Sequence, residues 1–242
     1  MSGVKTNFNI APYYDDFDGA KNFHRILFRP GFAVQARELT QLQTILQAQT
    51  TRFGDHIFKE GSKVFGGDVT LNTQVNSLKL ESAYDSATVQ IGSFDGKTIT
   101  GGTSGAKGLV IRAEALTVTD QPTLIFSKLG GGDFLDGETI STLETTPVQA
   151  NTVSLSGASG IQYAQNTSSI ASITEGCFYV SGFFVLNPAQ TISLDKYSNI
   201  PTKRVGLTVT EDIISTDDDA SILDNAQGTA NYAAPGADRF KM

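Results

Sequence analysis

Hydrophobic and polar positions change rhythm several times along this chain, and each change marks an element. In residues 1–33 aromatics are crowded but follow neither a period of 2 nor of 3.6, with Pro12 and Pro30-Gly31 as breaks. That pattern predicts an irregular, extended arm. Over residues 34–60 the rhythm becomes helical: Leu39, Leu42, Leu46, Phe53 and Ile57 recur at steps of three, four, seven and four, flanked by Ala36 and Ile45. This is one face of an amphipathic helix, which Gly54 and then Gly61 are expected to end.

Position 49, which completes the three-four alternation between Leu46 and Phe53, is a glutamine, with Gln35, Gln41, Gln43 and Gln47 nearby. A polar residue in an apolar seam costs stability but fixes register or chain number in a coiled coil. The stripe therefore reads in two ways: as the seam of a short bundle between subunits, a trimer being favoured, or as a surface helix packed on its own sheet.

From Lys63 onward the period is 2. "KVFGGDVTLNTQVNSLKLE" alternates around Val69, Leu71, Val75, Leu78 and Leu80, which predicts two or three short antiparallel strands with turns at Gly66-Gly67 and Asn72. Between residues 85 and 150 the units shorten and close on Gly or Asp-Gly turns such as Asp95-Gly96 and Asp136-Gly137, as in a small barrel-like module. A polar Ser/Gly/Asn stretch from Ser154 to Ser172 separates this from "CFYVSGFFVLNPAQTISL", the most apolar run, and from "RVGLTVTEDII", a further expected strand. The expected fold is mainly β with one N-terminal α-helix. Residues 61–84 plus 151–210 form an antiparallel sheet or sandwich, residues 85–150 an inserted small β module, and residues 211–242 an irregular C-terminal segment. The abrupt stop at Met242 leads us to expect a further region beyond it.

Composition narrows the function. At 242 residues with 39% hydrophobic content and 24 Gly, the chain has room for one or two cores and many turns. Of the net charge of −7, none falls in residues 1–60, and Lys203-Arg204 is the longest basic run. A duplex binder needs a basic face, so nucleic acid is not an expected partner. Cys177 is the single cysteine, which excludes an intrachain disulfide and a four-cysteine zinc site. No window approaches the roughly 20 apolar residues of a spanning helix, so no membrane partner is expected.

Candidate chemistry is thin. "GGTSGAKG" (101–108) puts Ala106 and Gly108 where a phosphate loop needs glycine and a hydroxyl, so it reads as a glycine-rich hairpin. "DDFDGAKN" resembles half a calcium loop, yet twelve residues from Asp16 end at Leu27 where a bidentate Glu belongs; an Asx turn is the better reading. Asp217, Asp218 and Asp219 read as a solvated loop. His24 and His56 are too far apart for a zincin helix, and Cys177 sits in an apolar strand that does nothing to activate a thiol. No pair of carboxylates stands out for glycoside hydrolysis. We therefore expect no catalytic residues, no metal and no cofactor.

The blocks "YYDDFD..KNFHRILFRPGFAVQARELTQLQTILQ" and "VGLTVTEDIISTDDDASILDNAQGTANYAAPGADRFKM" resemble the N-terminal region of a family of tail and baseplate structural proteins of contractile-tailed bacteriophages, cyanophages among them. The matching covers about residues 12–65 and 173–242; the "G-x-T-S-G-A" turn at 101–106 resembles small β modules of phage structural proteins. The resemblance implies a virion part, assembled in the host cytoplasm, with other tail or baseplate proteins and copies of itself as partners, and a link from baseplate to fibres. On that reading the aromatic start is for docking. Phe17, Phe23, Phe28 and Phe32 would anchor it and Arg25, Arg29 and Arg37 supply planar donors, with Leu39, Leu42, Leu46, Gln49 and Phe53 from the helix. Two rivals stand beside it: a receptor-binding adhesin using residues 85–150 on host glycan, and a polysaccharide-degrading enzyme.

Overall fold

The computed structural model describes residues 4–154 and 164–242. One helix, α1 (Ala36–Ile57), precedes β1 (Ser62–Gly66), β2 (Val69–Lys79), β3 (Ala83–Tyr84) and β4 (Ala87–Thr88). There follow β5 (Thr98–Gly101), β6 (Lys107–Glu114), β7 (Thr123–Gly130), β8 (Thr139–Thr142) and β9 (Gln149–Asn151). The rest are β10 (Gln165–Ile173), β11 (Gly176–Val180), β12 (Phe183–Asn187), β13 (Gln190–Asp195), β14 (Asp212–Ile214) and β15 (Arg239–Lys241). The protein is mainly β with one helix, and its sheets are antiparallel.

The chain forms two compact units, residues 1–67, 175–188 and 205–242 in the first and residues 68–174 and 189–204 in the second. In the first, β1, β11 and β12 make a three-stranded sheet and β14 pairs with β15. In the second, eight strands run in the order β13-β10-β2-β7-β6-β5-β8-β9, curled into a half-barrel. Its core is closed: Leu78, Leu80, Phe94, Ile99, Val110, Leu124, Phe126 and Ile140 are all inside.

These units divide the chain at other places than its texture suggests. The expected inserted module shares a sheet with its supposed host, because β2 pairs with β7 from Asn76↔Phe126 to Lys79↔Thr123. β11 and β12 join β1, whereas β13, the end of the same apolar run, pairs with β10 in the other unit. The turn expected at Asn72 is instead a bulge inside β2: Ser168 faces Val75 but Ile170 faces Asn72, leaving one extra residue on β2. Asn72 accepts a bond from the Gln74 amide within that bulge, so its turn-forming chemistry is spent without a reversal.

Part of the polar stretch is the strand β10, where Ser168 and Ser169 are buried and their hydroxyls donate to the carbonyls of Asp195 and Ser198. The rest of that stretch includes residues 155–163, which lie outside the described residues. "RVGLTVTEDII" yields a ladder only at Asp212–Ile214. Nor does Gly54 end α1; it sits in the last turns, where an added Cβ would lie 2.5 Å from the Tyr179 ring. The glycine is there for contact with the sheet, and α1 runs on to Ile57.

Candidate functional site

The arm is tied down at its beginning and released at its end. Residues 4–15 are held by the C-terminal segment of the same unit: Glu211 accepts from the Lys5 and Thr6 amides and the Thr6 hydroxyl, the Tyr13 hydroxyl donates to Asp238 at 2.5 Å, and Phe8 meets Phe240 edge-on. Two aspartates then fasten the chain to α1, and a third shapes the turn that follows. Asp15, buried, accepts from the Thr44 hydroxyl; Asp16 accepts from Gln41 and pairs with Arg37 at 3.4 Å; Asp18 caps a short 3-10 turn by accepting from the Ala20 amide. Phe17 is half-buried and, with Phe23 and His24, lines a crevice against Ile45, Ala48, Gln49 and Arg52 of α1.

Beyond that crevice the chain is extended and uncovered. Phe23, Leu27, Phe28 and Phe32 expose 64, 75, 49 and 65% of their surface, Arg25 is exposed, and the Arg29 guanidinium lies 4.3 Å from the Phe32 ring centre. On α1 the apolar stripe is open too: Leu39, Leu46 and Phe53 are exposed, Leu42 is half-buried and Gln49 is exposed. The opposite side of the helix is covered. Gln47 donates to the Gly182 carbonyl at 2.8 Å, and the Tyr179 hydroxyl donates to the Thr51 carbonyl and to Asp55 at 2.8 Å. Burial and the Asp55 carboxylate push the Tyr179 hydroxyl up to about 12, so it stays a donor at any working pH.

Of the predicted contact residues, the structure gathers Phe23, Gln49, Leu39, Leu46 and Phe53 on or beside one uncovered face of the arm and helix. Arg25, Phe28, Arg29 and Phe32 lie on the uncovered end of the arm. Phe17 and Arg37 are spent within the chain. Tyr14, Leu27, Val34 and Ile57 are also exposed and were missed as contacts, although Leu27 and Val34 flank the Pro30-Gly31 break and Ile57 continues the helical stripe.

The family described as a domain of unknown function, DUF4815, matches residues 11–132 and 144–242, which takes in the arm from Ala11, α1 and all but a short piece of both units. The chain belongs to the DUF4815 family. No curated protein and no solved structure matches it.

Elsewhere in this DUF4815 chain, polar clusters are closed on themselves. The "GGTSGA" turn wraps Glu138, which is 4% exposed and accepts from the Thr103, Ser104 and Leu135 amides and the Ser104 hydroxyl at 2.7–3.1 Å. Burial alone would raise its pKa, and the four donors more than offset that and hold it below its ordinary value. The backbone donors that make the turn resemble a phosphate loop are thus filled by an internal carboxylate. Gly101 is needed there, since a Cβ would lie 2.7 Å from the Glu138 oxygens. Asp120 accepts from the Tyr197 hydroxyl and pairs with Lys79 and Lys196, each at 3.3 Å. Asp218 and Asp219 are local caps, on Ser215 and Ser221.

A basin in the first unit lined by Lys5, Glu60, Ser181 and Glu211 has its carboxylates engaged, Glu60 by the Ser181 amide and Glu211 by Lys5 and Thr6. Among the described residues no group of three His, Cys, Asp or Glu side chains is placed to hold a metal ion, and no helix is long and apolar enough to cross a membrane. Cys177 is buried. Phe94, Phe126 and Phe134, the three aromatic rings of residues 85–150, are all core, which leaves none of them to stack on a sugar.

Proposed function

We propose that this protein is a structural component of a bacteriophage tail or baseplate, held in the virion through the end of its arm and the open face of α1, and joining the baseplate to fibres. It works by adhesion and turns over no substrate. One observation carries the reading: Phe23, Leu27, Phe28, Phe32, Leu39, Leu46 and Phe53 are each about half exposed or more, at 49–75%, on two consecutive segments. Contiguous apolar surface of this kind marks interaction sites, and the neighbouring Arg29 adds the other residue type typical of interface anchors. The resemblance of these same segments to tail and baseplate proteins supports the choice of particle.

The test is to purify virions of a tailed phage that encodes the chain, then to look for it by mass spectrometry and by immunogold labelling. Gold at the tail tip or baseplate is the expected result. Particles that assemble, adsorb and contain none of the chain would sink the proposal.

A further inference from the structure

We infer that the occupant of the open α1 stripe is α1 of further copies of this chain, three of them parallel about a threefold axis. This rests on the docking reading above and names the partner of one of its two segments.

The first observation is spacing. Leu39, Leu46 and Phe53 recur every seven residues, with Leu42 and Gln49 completing the three-four alternation. A straight helix drifts about 20° per heptad against such a repeat, and winding helices around one another is what keeps a stripe of this spacing on a shared seam. In α1 that stripe is not the side laid on its own sheet. Gln49, at the edge of the stripe, borders the crevice under the arm, but the bonds and close approach that hold α1 to its own chain come from other residues: Gln41, Thr44, Gln47, Thr51, Gly54 and Asp55. At 3.6 residues per turn these fall on the side away from the stripe.

The second is charge. Every position on the open side, Leu39, Leu42, Gln43, Leu46, Gln49, Thr50, Phe53 and Ile57, is uncharged. Of the formal charges of α1, Arg37 is paired with Asp16, Asp55 accepts from Tyr179, Glu38 at the edge of the face accepts from the Gln35 amide, and Arg52 lies at the crevice under the arm. An uncharged face is complementary to a copy of itself, because no like charges meet on the axis. A charged partner would lose hydration there and gain no counter-charge.

The third is the identity of the seam residues. Leu in place of a β-branched residue at positions 39 and 46 disfavours a two-stranded coil and leaves three or four strands; three is the smaller closed ring, and its cyclic symmetry makes the helices parallel. Gln49 then forms one layer in which amides from three copies donate to and accept from each other. A slip of one heptad would bury each amide against Leu42 or against position 56, so the glutamine sets the register. Phe23, which shares the crevice with Gln49, flanks that polar layer with apolar surface from the arm.

Light scattering and native mass spectrometry of the full chain at micromolar concentration test this. Three times the chain mass is expected, collapsing to the monomer in Leu46→Lys with an unchanged far-UV circular dichroism spectrum, since that side chain is 60% exposed. Leu39→Cys should join pairs of chains by a disulfide on mild oxidation, because position 39 meets its own copy only in a parallel bundle; Cys177 is 3% exposed and stays out of the reaction. A chain that is monomeric throughout, or an oligomer that survives Leu46→Lys, overturns the inference. The two readings fail separately. A monomer still found in virions leaves the docking proposal standing with another protein on the stripe, whereas a trimer absent from virions leaves the bundle and removes the tail.

Discussion

The two units are almost the same size, but of the twenty apolar side chains buried among the described residues only Ile45, Cys177, Tyr179 and Val180 belong to the first. The second unit encloses a dozen residues in one cluster, with Leu78, Leu80, Phe94, Ile99 and Phe126 fully inside. The first leaves Phe23, Leu27, Phe32, Leu46, Phe53 and Leu186 more than half exposed. The second unit is built around that closed cluster, whereas the first is held by small ring clusters such as Phe58, Tyr179 and Phe184 together with carboxylate hydrogen bonds. The lesson is that exposure here is not spread evenly as on an ordinary surface. Both units leave aliphatic side chains exposed, but the exposed phenylalanines among the described residues, Phe23, Phe28, Phe32, Phe53, Phe65 and Phe184, all belong to the unit with fewer buried apolar side chains.

The sharpest way to break that contrast is a matched pair of truncations. Phe126 is fully buried, with Phe134 edge-on at 5.3 Å, so Phe126→Ala is expected to cost about 3–5 kcal/mol in urea unfolding. In the Leu46→Lys background, which keeps the chain monomeric, changing Phe53, 66% exposed, to Ala should cost no more than about 0.5 kcal/mol. Similar costs at both positions would mean that α1 is covered within its own chain after all, and the asymmetry would disappear.

Next in size is Glu138. Changing it to Gln keeps the volume but swaps one acceptor oxygen for an NH2 group among the Thr103, Ser104 and Leu135 donors, which should cost about 2–3 kcal/mol at neutral pH. The wild type carries a pH signature that the variant lacks. Its folded-state carboxyl is held below its ordinary value, so the contribution is complete above the ordinary carboxyl range and is lost as pH falls through the folded pKa. The gap between the two proteins' unfolding midpoints should therefore be full at neutral pH and close as pH falls below the ordinary carboxyl range. A constant gap between the two proteins would assign Glu138 a role other than that of a charged acceptor.

A smaller effect belongs to Gly54. Alanine normally favours a helix over glycine by about 1 kcal/mol, yet here its Cβ would press on the Tyr179 ring at 2.5 Å. We expect Gly54→Ala to lose about 1–2 kcal/mol net, as overpacking does. A rise in melting temperature would show that α1 shifts on its sheet without cost, and that the covered side of the helix is as loosely held as the open one.

What the sequence made legible follows from how each contact is made. The stripe of α1 was readable because apolar spacing is a direct record of a helix face, and β5, β6, β7 and β8 because Gly and Asp-Gly turns punctuate them. The covered side of α1 was not, since Gln41, Thr44, Gln47 and Gly54 bind by hydrogen bonds and close approach, which leave no periodic trace. β10 was hidden for a similar reason: its inward positions include Ser168 and Ser169, satisfied by carbonyls 27 and 29 residues away. The reverse error occurred at "RVGLTVTEDII", where Val205, Leu207 and Val209 alternate as in a strand but remain exposed with no ladder. Alternation reports what a segment is able to pair with, and a partner must still be present.

The smallest expected effect tests whether the arm is fastened where the aspartates say it is. Asp15 is buried and accepts from Thr44, the one side-chain bond from a buried arm residue to α1. Asp15→Ala removes that acceptor and the bond to the Phe17 amide, leaving the Thr44 hydroxyl free to fall back on the Thr40 carbonyl, 3.3 Å away. Because Thr44 keeps a partner, the loss should be about 1 kcal/mol and confined to local opening of the arm. Global unfolding, governed by the closed sheet, should not move. Trypsin at Lys21, in the turn that follows the aspartates, reads the difference: cleavage about fivefold faster in the variant, following from about 1 kcal/mol at fixed intrinsic rate, with an unchanged melting curve. Equal cleavage rates would mean that the whole arm, and not its second half alone, is already open in the free chain, and the boundary between fastened and uncovered segments would move back towards the Glu211 and Asp238 contacts.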